Sequence, residues 1–272
     1  MTRTLYAIIG DPIAQARSPE VFNQLFAQRG IDAEMVALHV GADQFETALQ
    51  GLAALRNFGG AVITIPHKAA AARVAVQRSA RVAVAGVANV LRPGASGWRA
   101  DLFDGEGFVA GLRQCGHEVR VQSAAVVGAG GAGMAIATAL LDAGVGSVAI
   151  DDIDRVRAED ACTRLSATYG GRVQRRGPTK ADNLVVNATP IGMNEGDALP
   201  VVLEQLDPRA LVADAIMKPP RTRLLTEAVR RGHPVQEGRH MLDGQAEAIW
   251  RFLAMGGAAS DPPGVPSPQA PP

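Results

Sequence analysis

The sequence predicts an α/β fold with mostly parallel sheets. Short apolar runs of strand length recur along the chain, and each is followed by a segment with a helix-start signal or helical periodicity. One such run leads directly into a glycine-rich turn at 128–133 and then into a helix. The 272 residues, 47% of them hydrophobic, suffice for two modest domains or one large one.

The first hundred residues alternate strand and helix. Leu5–Ile9 is a predicted buried strand, and Ser18-Pro19 predicts a helix start with the serine as N-cap and a helix that ends at Gly30. Further predicted elements are a strand at 34–40, a helix with a capping box at Asp43–Glu46 that ends near 56, a strand at 61–65, helices from 67 and 79, paired strands at 89–91 and 97–99, and a helix at 108–113. This alternation implies right-handed crossovers and a largely parallel sheet.

The glycine-rich turn has the local context of a dinucleotide-binding site. The strand Ala124–Val127 enters it, a helix over 134–143 leaves it, and a strand at 147–150 finishes near Asp152, 19 residues beyond Gly133. In such a turn the glycines allow tight bending and close approach to a pyrophosphate, and the helix N-terminus offers N–H groups to the anion. We therefore predict a Rossmann-type domain whose cofactor contacts include Gly128, Ala129, Gly130, Gly131, Ala132, Gly133 and Asp152.

The acid at the end of the second strand bears on the choice of cofactor. A carboxylate at Asp152 can accept a hydrogen bond from a ribose 2′-hydroxyl but repels a 2′-phosphate. The sequence thus favours NAD over NADP. Arg155 and Arg157 are the counter-argument, because an arginine can bind that phosphate.

The remaining part of the chain continues the same alternation. Predicted elements are strands at 184–187 and 211–214, a helix at 222–231, a short edge strand at 235 and a last helix at 241–253. Ligands of open α/β sheets lie outside the carboxyl ends of the strands. Asn187, Thr189 and Pro190, which end one strand and begin its loop, are therefore predicted to face the nicotinamide.

Composition excludes several functional classes. The 27 basic and 27 acidic residues balance, and like charges do not cluster, so we expect neither nucleic acid nor a membrane surface as partner. Two distant cysteines and five scattered histidines predict no metal site and a reduced, cytoplasmic setting. We expect a small-molecule ligand, a monomer or homodimer, and a disordered proline-rich tail at 256–272.

Seven stretches together resemble the shikimate dehydrogenase family, in the family's order. They are Gly10–Pro19, Val62–Lys68, Gly86–Asn89, Asp101–Gly105, Gly128–Gly133, Asn187–Met193 and Gly238–Gln245. The resemblance implies an oxidoreductase that interconverts shikimate or quinate and the dehydro ketone, with NAD(P) as cofactor. It implies Lys68 and Asp104 as the catalytic pair, and Ser18, Thr64, Asn89 and Gln245 as contacts to the hydroxy-acid substrate. Whether Lys68 is the general base or an orienting donor stays open.

The resemblance also implies a domain organisation. Residues 1–104, completed by a C-terminal helix at about 239–255, would form the substrate-binding and catalytic α/β domain, and residues 105–238 the NAD-binding domain. Ala16 and Met217 replace residues that are a serine and often a tyrosine in the family, which makes the cleft more apolar. The alternatives are therefore an enzyme of the same scaffold acting on another cyclic hydroxy acid, or a nucleotide-binding regulator without catalysis.

Overall fold

Two six-stranded β-sheets organise the chain, and this confirms the predicted α/β class with parallel-rich sheets. The structure, a computed structural model, describes residues 2–14 and 16–254. The tail predicted at 256–272 lies outside the described residues. No helix of the described part is both long and apolar enough to cross a bilayer.

The first sheet takes in the strands up to residue 101 in the order β2-β1-β3-β5-β6-β4. Its elements are β1 Thr4–Gly10, α1 Ser18–Arg29, β2 Ala33–His39, α2 Phe45–Ala53, β3 Phe58–Ile63, α3 Lys68–Val74, β4 Gln77–Arg78, α4 Ala80–Ala85, β5 Val90–Gly94 and β6 Gly97–Asp101. Strands β2, β1 and β3 run parallel, whereas β5 is antiparallel to both β3 and β6. The predicted pairing of the two strands is therefore confirmed, but the turn predicted at Pro93-Gly94 lies at 95–96, since Pro93 and Gly94 belong to β5 and pair with β6.

The second sheet is parallel throughout and has the order β12-β11-β10-β7-β8-β9. Its part of the chain comprises α5 Asp104–Gln114, β7 Ser123–Val127, α6 Gly131–Asp142, β8 Ser147–Asp151, α7 Arg155–Tyr169, β9 Val173–Arg175, β10 Leu184–Asn187, β11 Leu211–Asp214, α8 Arg223–Arg230, β12 Val235–Gln236 and α9 Arg239–Ala254. The strand order reverses between β7 and β10, and such a switch point opens a crevice at the carboxyl ends of the strands.

The last helix, α9, leaves the second sheet and packs against the first. Its Ala246, Ile249 and Leu253 are buried in one apolar cluster with Tyr6 and Phe26. Tyr6 and Phe26 also hold Trp250 of α9 in edge contacts, with ring centroids 5.9 and 5.3 Å apart. Such burial of aromatic surface fixes α9 on the first sheet.

Two predicted helix caps are wrong. Ser18 is the first residue of α1, and its hydroxyl makes no capping bond; Arg17 occupies the N-cap position. Asp43 lies in a 3-10 turn over 42–44, and α2 starts only at Phe45, again without a side-chain cap. Phe45 is 1% exposed and stacks on His67 at 4.5 Å, so burial of this ring determines where the helix starts.

Gly59 and Gly60, which follow the segment predicted as a helix up to about residue 56, lie inside a strand. Gly59 and Gly60 belong to β3, where Gly60 has φ +143° and a side chain would collide with the Leu91 carbonyl. The ring of Tyr6 covers Gly59 in the same way. These glycines therefore allow close packing of strand and ring rather than ending a helix.

Candidate active site

A cleft of about 300 Å³ opens where strands of both sheets end. The segments that follow β3, β7, β10 and β11 line it, and α9 closes one side. The six residues predicted as catalytic or substrate-binding all line this cleft: Ser18, Thr64, Lys68, Asn89, Asp104 and Gln245. Folding thus brings together residues that are up to 227 positions apart, as Ser18 and Gln245 are.

The centre of the cleft holds an ion pair. Lys68 Nζ donates to Asp104 Oδ2 at 2.6 Å, and the two side chains are only 11% and 6% exposed. Lys68 begins α3 and Asp104 begins α5, so both charges come from the first turn of a helix. Such burial is costly for an unpaired charge, and each group therefore compensates the other. The pair offers a proton donor and a proton acceptor to a ligand hydroxyl.

A turn anchored by an aromatic contact places Lys68. Thr64 donates its N–H to Ile9, and its carbonyl accepts from the His67 N–H at 2.9 Å. The His67 ring is buried, lies 2.7 Å from the Val40 carbonyl and stacks on Phe45. Sequence reasoning missed this role of His67, because the signal is a contact between residues 22 positions apart.

Two buried amides form the opposite wall. Asn89 Nδ2 donates to Gln245 Oε1 at 2.8 Å, and Asn89 Oδ1 accepts from the Phe103 N–H at 2.8 Å. These two hydrogen bonds link the residues directly before β5 and α5 to α9. Three polar groups in the cleft make no hydrogen bond with any described residue: the hydroxyl of Ser18, the hydroxyl of Thr64 and the amide nitrogen of Gln245. These groups are available to hydroxyl or carboxylate oxygens of a ligand.

The glycine-rich turn forms the floor of the cleft on the side of the second sheet. Gly130, Gly131 and Ala132 line it, and an added Cβ at Gly130 would meet nothing within 4 Å. The first N–H groups of α6 have no partner within the helix and open onto this space, which fits a pyrophosphate. Gly131 packs on the Lys68 stem, where an added Cβ would lie 3.0 Å from Cδ.

The other predicted residues of this turn shape it and do not line the cleft. Gly128 has φ +103° and donates its N–H to Asp151, and a Cβ on Gly133 would collide with the Gly128 carbonyl. Ala129 donates its N–H to Asp152 Oδ2 at 2.8 Å. The glycines thus allow the tight approach of α6 to the end of β7.

The loop after β10 is braced by Asn187, which is buried and does not line the cleft. Its Oδ1 accepts from both the N–H and the hydroxyl of Thr189, at 3.0 and 2.7 Å. Its Nδ2 donates to Ile191 and to Asp214 Oδ1. Thr189 and Pro190 do line the cleft. Asn187 thus holds the loop, and Thr189 and Pro190 face the ligand space.

Asp214 was not predicted as a site residue, although it ends β11 beside this loop. It is fully buried and accepts from the Thr222 hydroxyl at 2.7 Å and the Ile216 N–H at 2.9 Å. Burial raises its pKa from 3.8 to about 6, although these hydrogen bonds and one from Asn187 act in the opposite direction. The signal that identifies it is the run Leu211–Asp214, in which three apolar residues of a strand are followed by an acid at the strand end.

The lining that sequence reasoning missed is largely apolar. It consists of Ile8, Val62, Ile63, Ile65, Ala188, Ala215, Ile216, Met241, Leu242 and Ile249, along with the cation of Lys218. These residues lie at strand ends or on the inner face of α9. Among the described residues no group of three potential metal ligands comes together.

Asp152 does not present a free carboxylate to a ribose. Its side chain is 7% exposed, one oxygen accepts from the Ala129 N–H and the other from the Asp154 N–H at 2.9 Å. Arg157 lies 3.5 Å from both Asp152 and Asp154 and keeps 54% of its side chain exposed. The positive charge of Arg157 therefore lies beside Asp152, the acid that was expected to repel a phosphate.

Comparisons with known proteins agree on one family. Residues 8–91 match the model of the shikimate dehydrogenase substrate-binding domain. The chain is 37% identical to shikimate dehydrogenase (NADP(+)) of Paracoccus denitrificans over 89% of this chain and 87% of that protein. It is 35% identical to the enzyme of the same name from Cereibacter sphaeroides, over 89% and 88%.

A solved structure extends this likeness to the fold. Shikimate 5-dehydrogenase from Thermus thermophilus, in complex with NADP(H) and shikimate, superposes with a TM-score of 0.83. It is 27% identical and covers 93% of this chain and 94% of its own.

The comparisons contradict the predicted preference for NAD. Curated relatives that are 34–37% identical to this chain are named for NADP(+). The prediction assumed that Asp152 turns a bare carboxylate toward the ribose, whereas the structure directs it to two backbone N–H groups and sets Arg157 beside it. Arg157 therefore offsets the negative charge of Asp152 from which repulsion of a 2′-phosphate was inferred.

Proposed function

Because this chain belongs to the shikimate dehydrogenase family, we propose that it oxidises shikimate to the dehydro ketone with NADP as hydride acceptor. The observation that carries the proposal is the buried pair of Lys68 and Asp104, which faces the glycine-rich turn across one cleft. This arrangement supports chemistry in which a proton and a hydride leave the same secondary alcohol.

Lys68 and Asp104 handle the proton. Loss of hydride from the carbinol carbon turns the alcohol into a ketone only if the hydroxyl proton also leaves, so a protein group must lie within hydrogen-bond reach of that oxygen. In our proposal the pair of Lys68 and Asp104 accepts this proton as the hydride leaves, with Lys68 Nζ bonded to the alcohol oxygen and Asp104 orienting the amine and the hydroxyl. The bound nicotinamide supplies the hydride acceptor.

Neutral polar groups orient the substrate ring. Thr64, Asn89 and Gln245 line the same cleft as the ion pair, and Ser18 lines it from the start of α1. In our proposal these groups bond to the remaining ring hydroxyls and to the carboxylate. Because Asn89 and Gln245 are already hydrogen-bonded to each other, their positions are fixed before the substrate binds, which limits the entropy lost on binding.

The second sheet holds the cofactor. In our proposal the N–H groups of Gly131 and Ala132 bind the pyrophosphate, and Thr189 and Pro190 contact the nicotinamide end. Arg157 binds the 2′-phosphate, because its guanidinium is exposed beside the end of β8 and a guanidinium matches the geometry of phosphate.

Steady-state kinetics test this function. The purified chain is supplied with NADP and with shikimate or quinate, each at millimolar concentration, and formation of NADPH is followed by its absorbance. We expect saturable turnover with shikimate. Absence of turnover with shikimate, in a protein that still binds NADP by titration, would overturn the proposed substrate.

A further inference from the structure

Lys218 gives the cleft an unbalanced positive charge. It lies in the loop that follows β11, and the ionised side chains that line the cleft are Lys68, Asp104 and Lys218. Since Lys68 and Asp104 neutralise each other, Lys218 sets the net charge of the lining. A cleft with one excess cation favours a ligand with an anionic group.

No carboxylate of the described residues competes for this ammonium. Asp214, four positions away in sequence, is buried and accepts hydrogen bonds from Asn187, Ile216 and Thr222. Glu237 binds Arg239 at 3.0 Å and Arg221 at 3.6 Å. Lys218 itself forms no ion pair or hydrogen bond with any described residue. Its charge therefore remains available to a ligand.

Other groups near the cleft are poorly suited to an anion. Arg17, which precedes Ser18, is directed to Glu20, with both contacts at 3.4 Å. Ala16 and Met217 offer no hydrogen-bond donor. Ser18, Thr64 and Gln245 can donate hydrogen bonds to a carboxylate but are neutral, and a bond from a charged donor is roughly twice as strong.

Lysine is rare in this chain and is concentrated at the cleft. Only three of its 27 basic residues are lysines, and two of the three, Lys68 and Lys218, line this cleft. A lysine carries a compact charge on a flexible four-carbon stem, so it can follow an anion that enters a cleft. Lys218 lines the cleft and is exposed to solvent, which leaves its stem free to move toward such an anion.

We propose that Lys218 determines substrate specificity by binding the carboxylate of the hydroxy acid. This inference rests on the proposed function, since shikimate supplies that carboxylate. The ammonium attracts the acid into the cleft and binds its carboxylate, while a ring hydroxyl meets Lys68 and Asp104. A ring without a carboxylate lacks this contact.

Binding of shikimate and of its methyl ester, measured by calorimetry without cofactor, tests the proposal. The wild type should bind the acid more tightly than the ester. Lys218→Met should weaken binding of the acid about ten- to hundredfold, the scale of a lost hydrogen bond to a charged group, and leave the ester unchanged. Lys218→Arg should retain most of the preference, and Lys180→Met, which changes the lysine outside the cleft, should match the wild type.

Four results would overturn the proposal. Lys218→Met could bind the acid as tightly as the wild type, it could weaken acid and ester equally, or it could weaken NADP in place of shikimate, which would assign the cation to a cofactor phosphate. A wild type without affinity for shikimate would overturn it as well. Failure of the proposed function is separate, because it would appear as shikimate binding through Lys218 without any reduction of NADP.

Discussion

At the scale of single residues, the site is distinguished by ionisable side chains that are buried. Lys68 and Asp104 are each tolerable inside the protein because the other is present 2.6 Å away. Asp214 has no cation beside it and relies on three hydrogen-bond donors, and its pKa is raised to about 6. The ion pair and the carboxyl held by neutral donors should therefore differ in how pH and substitution affect them.

Asp214 should make stability depend on pH. Its carboxyl has a pKa of about 6 in the folded chain and 3.8 ordinarily, so the folded state binds the proton more tightly. The free energy of unfolding therefore falls as pH rises from about 4 through 6, by roughly 2–3 kcal/mol. Asp214→Asn removes this titration, so urea unfolding should show the variant gaining stability relative to the wild type over that interval. A difference that stays constant with pH would contradict the account.

Arg157 should distinguish the two nicotinamide cofactors. Arg157→Ala removes the guanidinium proposed to bind the 2′-phosphate, so the Kd for NADP should rise about tenfold or more in a fluorescence titration. Binding of NAD, which lacks that phosphate, is the control and should be unchanged. Equal loss for both cofactors would mean that Arg157 supports the turn at Asp152 rather than the phosphate.

At the scale of secondary-structure elements, residues adjacent in sequence correctly predicted the elements at the centre of the chain. The strand, turn and helix over 123–142 follow from apolar residues, glycines and helix formers that are adjacent in sequence. The caps at Ser18 and Asp43 were not predictable, because burial of Ser18 in the cleft and of Phe45 against His67 outweighs the capping preference. A cap contributes about 1 kcal/mol, and burial of an aromatic ring contributes more.

Glycines in α5 permit the crossing of α5 and α9. A Cβ on Gly107 would collide with the Met241 carbonyl and lie 2.7 Å from Gln245 Cβ. Gly107→Ala should therefore lower the free energy of unfolding by about 1–3 kcal/mol, in spite of the better helix propensity of alanine. Because the change also displaces Gln245, affinity for shikimate should fall.

A second helical glycine provides the control for Gly107. Gly51 in α2 has nothing within 4 Å of an added Cβ, so Gly51→Ala should raise the free energy of unfolding by up to about 1 kcal/mol. Urea unfolding of both variants compares the two effects directly. If both substitutions stabilised the protein to the same degree, close packing of α5 on α9 would not be needed.

At the scale of the whole molecule, the cleft exists because two sheets and a returning helix meet. Ser18, Lys68, Asn89 and Gln245 carry ordinary sequence signals, and no local pattern reveals that they converge. The order of their motifs, compared with a family, made the candidate site predictable. What escaped prediction was three-dimensional: the direction of the Asp152 carboxylate, the brace formed by Asn187, and the cation of Lys218.

In the proposed function, the cofactor and substrate regions meet at the pair of Lys68 and Asp104. The stem of Lys68 packs against Gly131 in the cofactor turn, and Asp104 begins the helix that packs on α9. A ligand on either side therefore meets the same two charges. In the proposed function the chemistry therefore depends on Lys68 more than on any other side chain.

The most direct test of the account is the turnover of Lys68→Met with NADP and shikimate, compared with that of the wild type. The methionine keeps the volume of the stem and removes the ammonium, and a calorimetric titration of NADP checks that the fold and cofactor site are intact. We predict that kcat falls at least about a hundredfold, the scale of lost proton transfer, while the Kd for NADP changes little. Turnover close to that of the wild type would contradict the account, because the buried pair would then be structural and the reaction would proceed elsewhere.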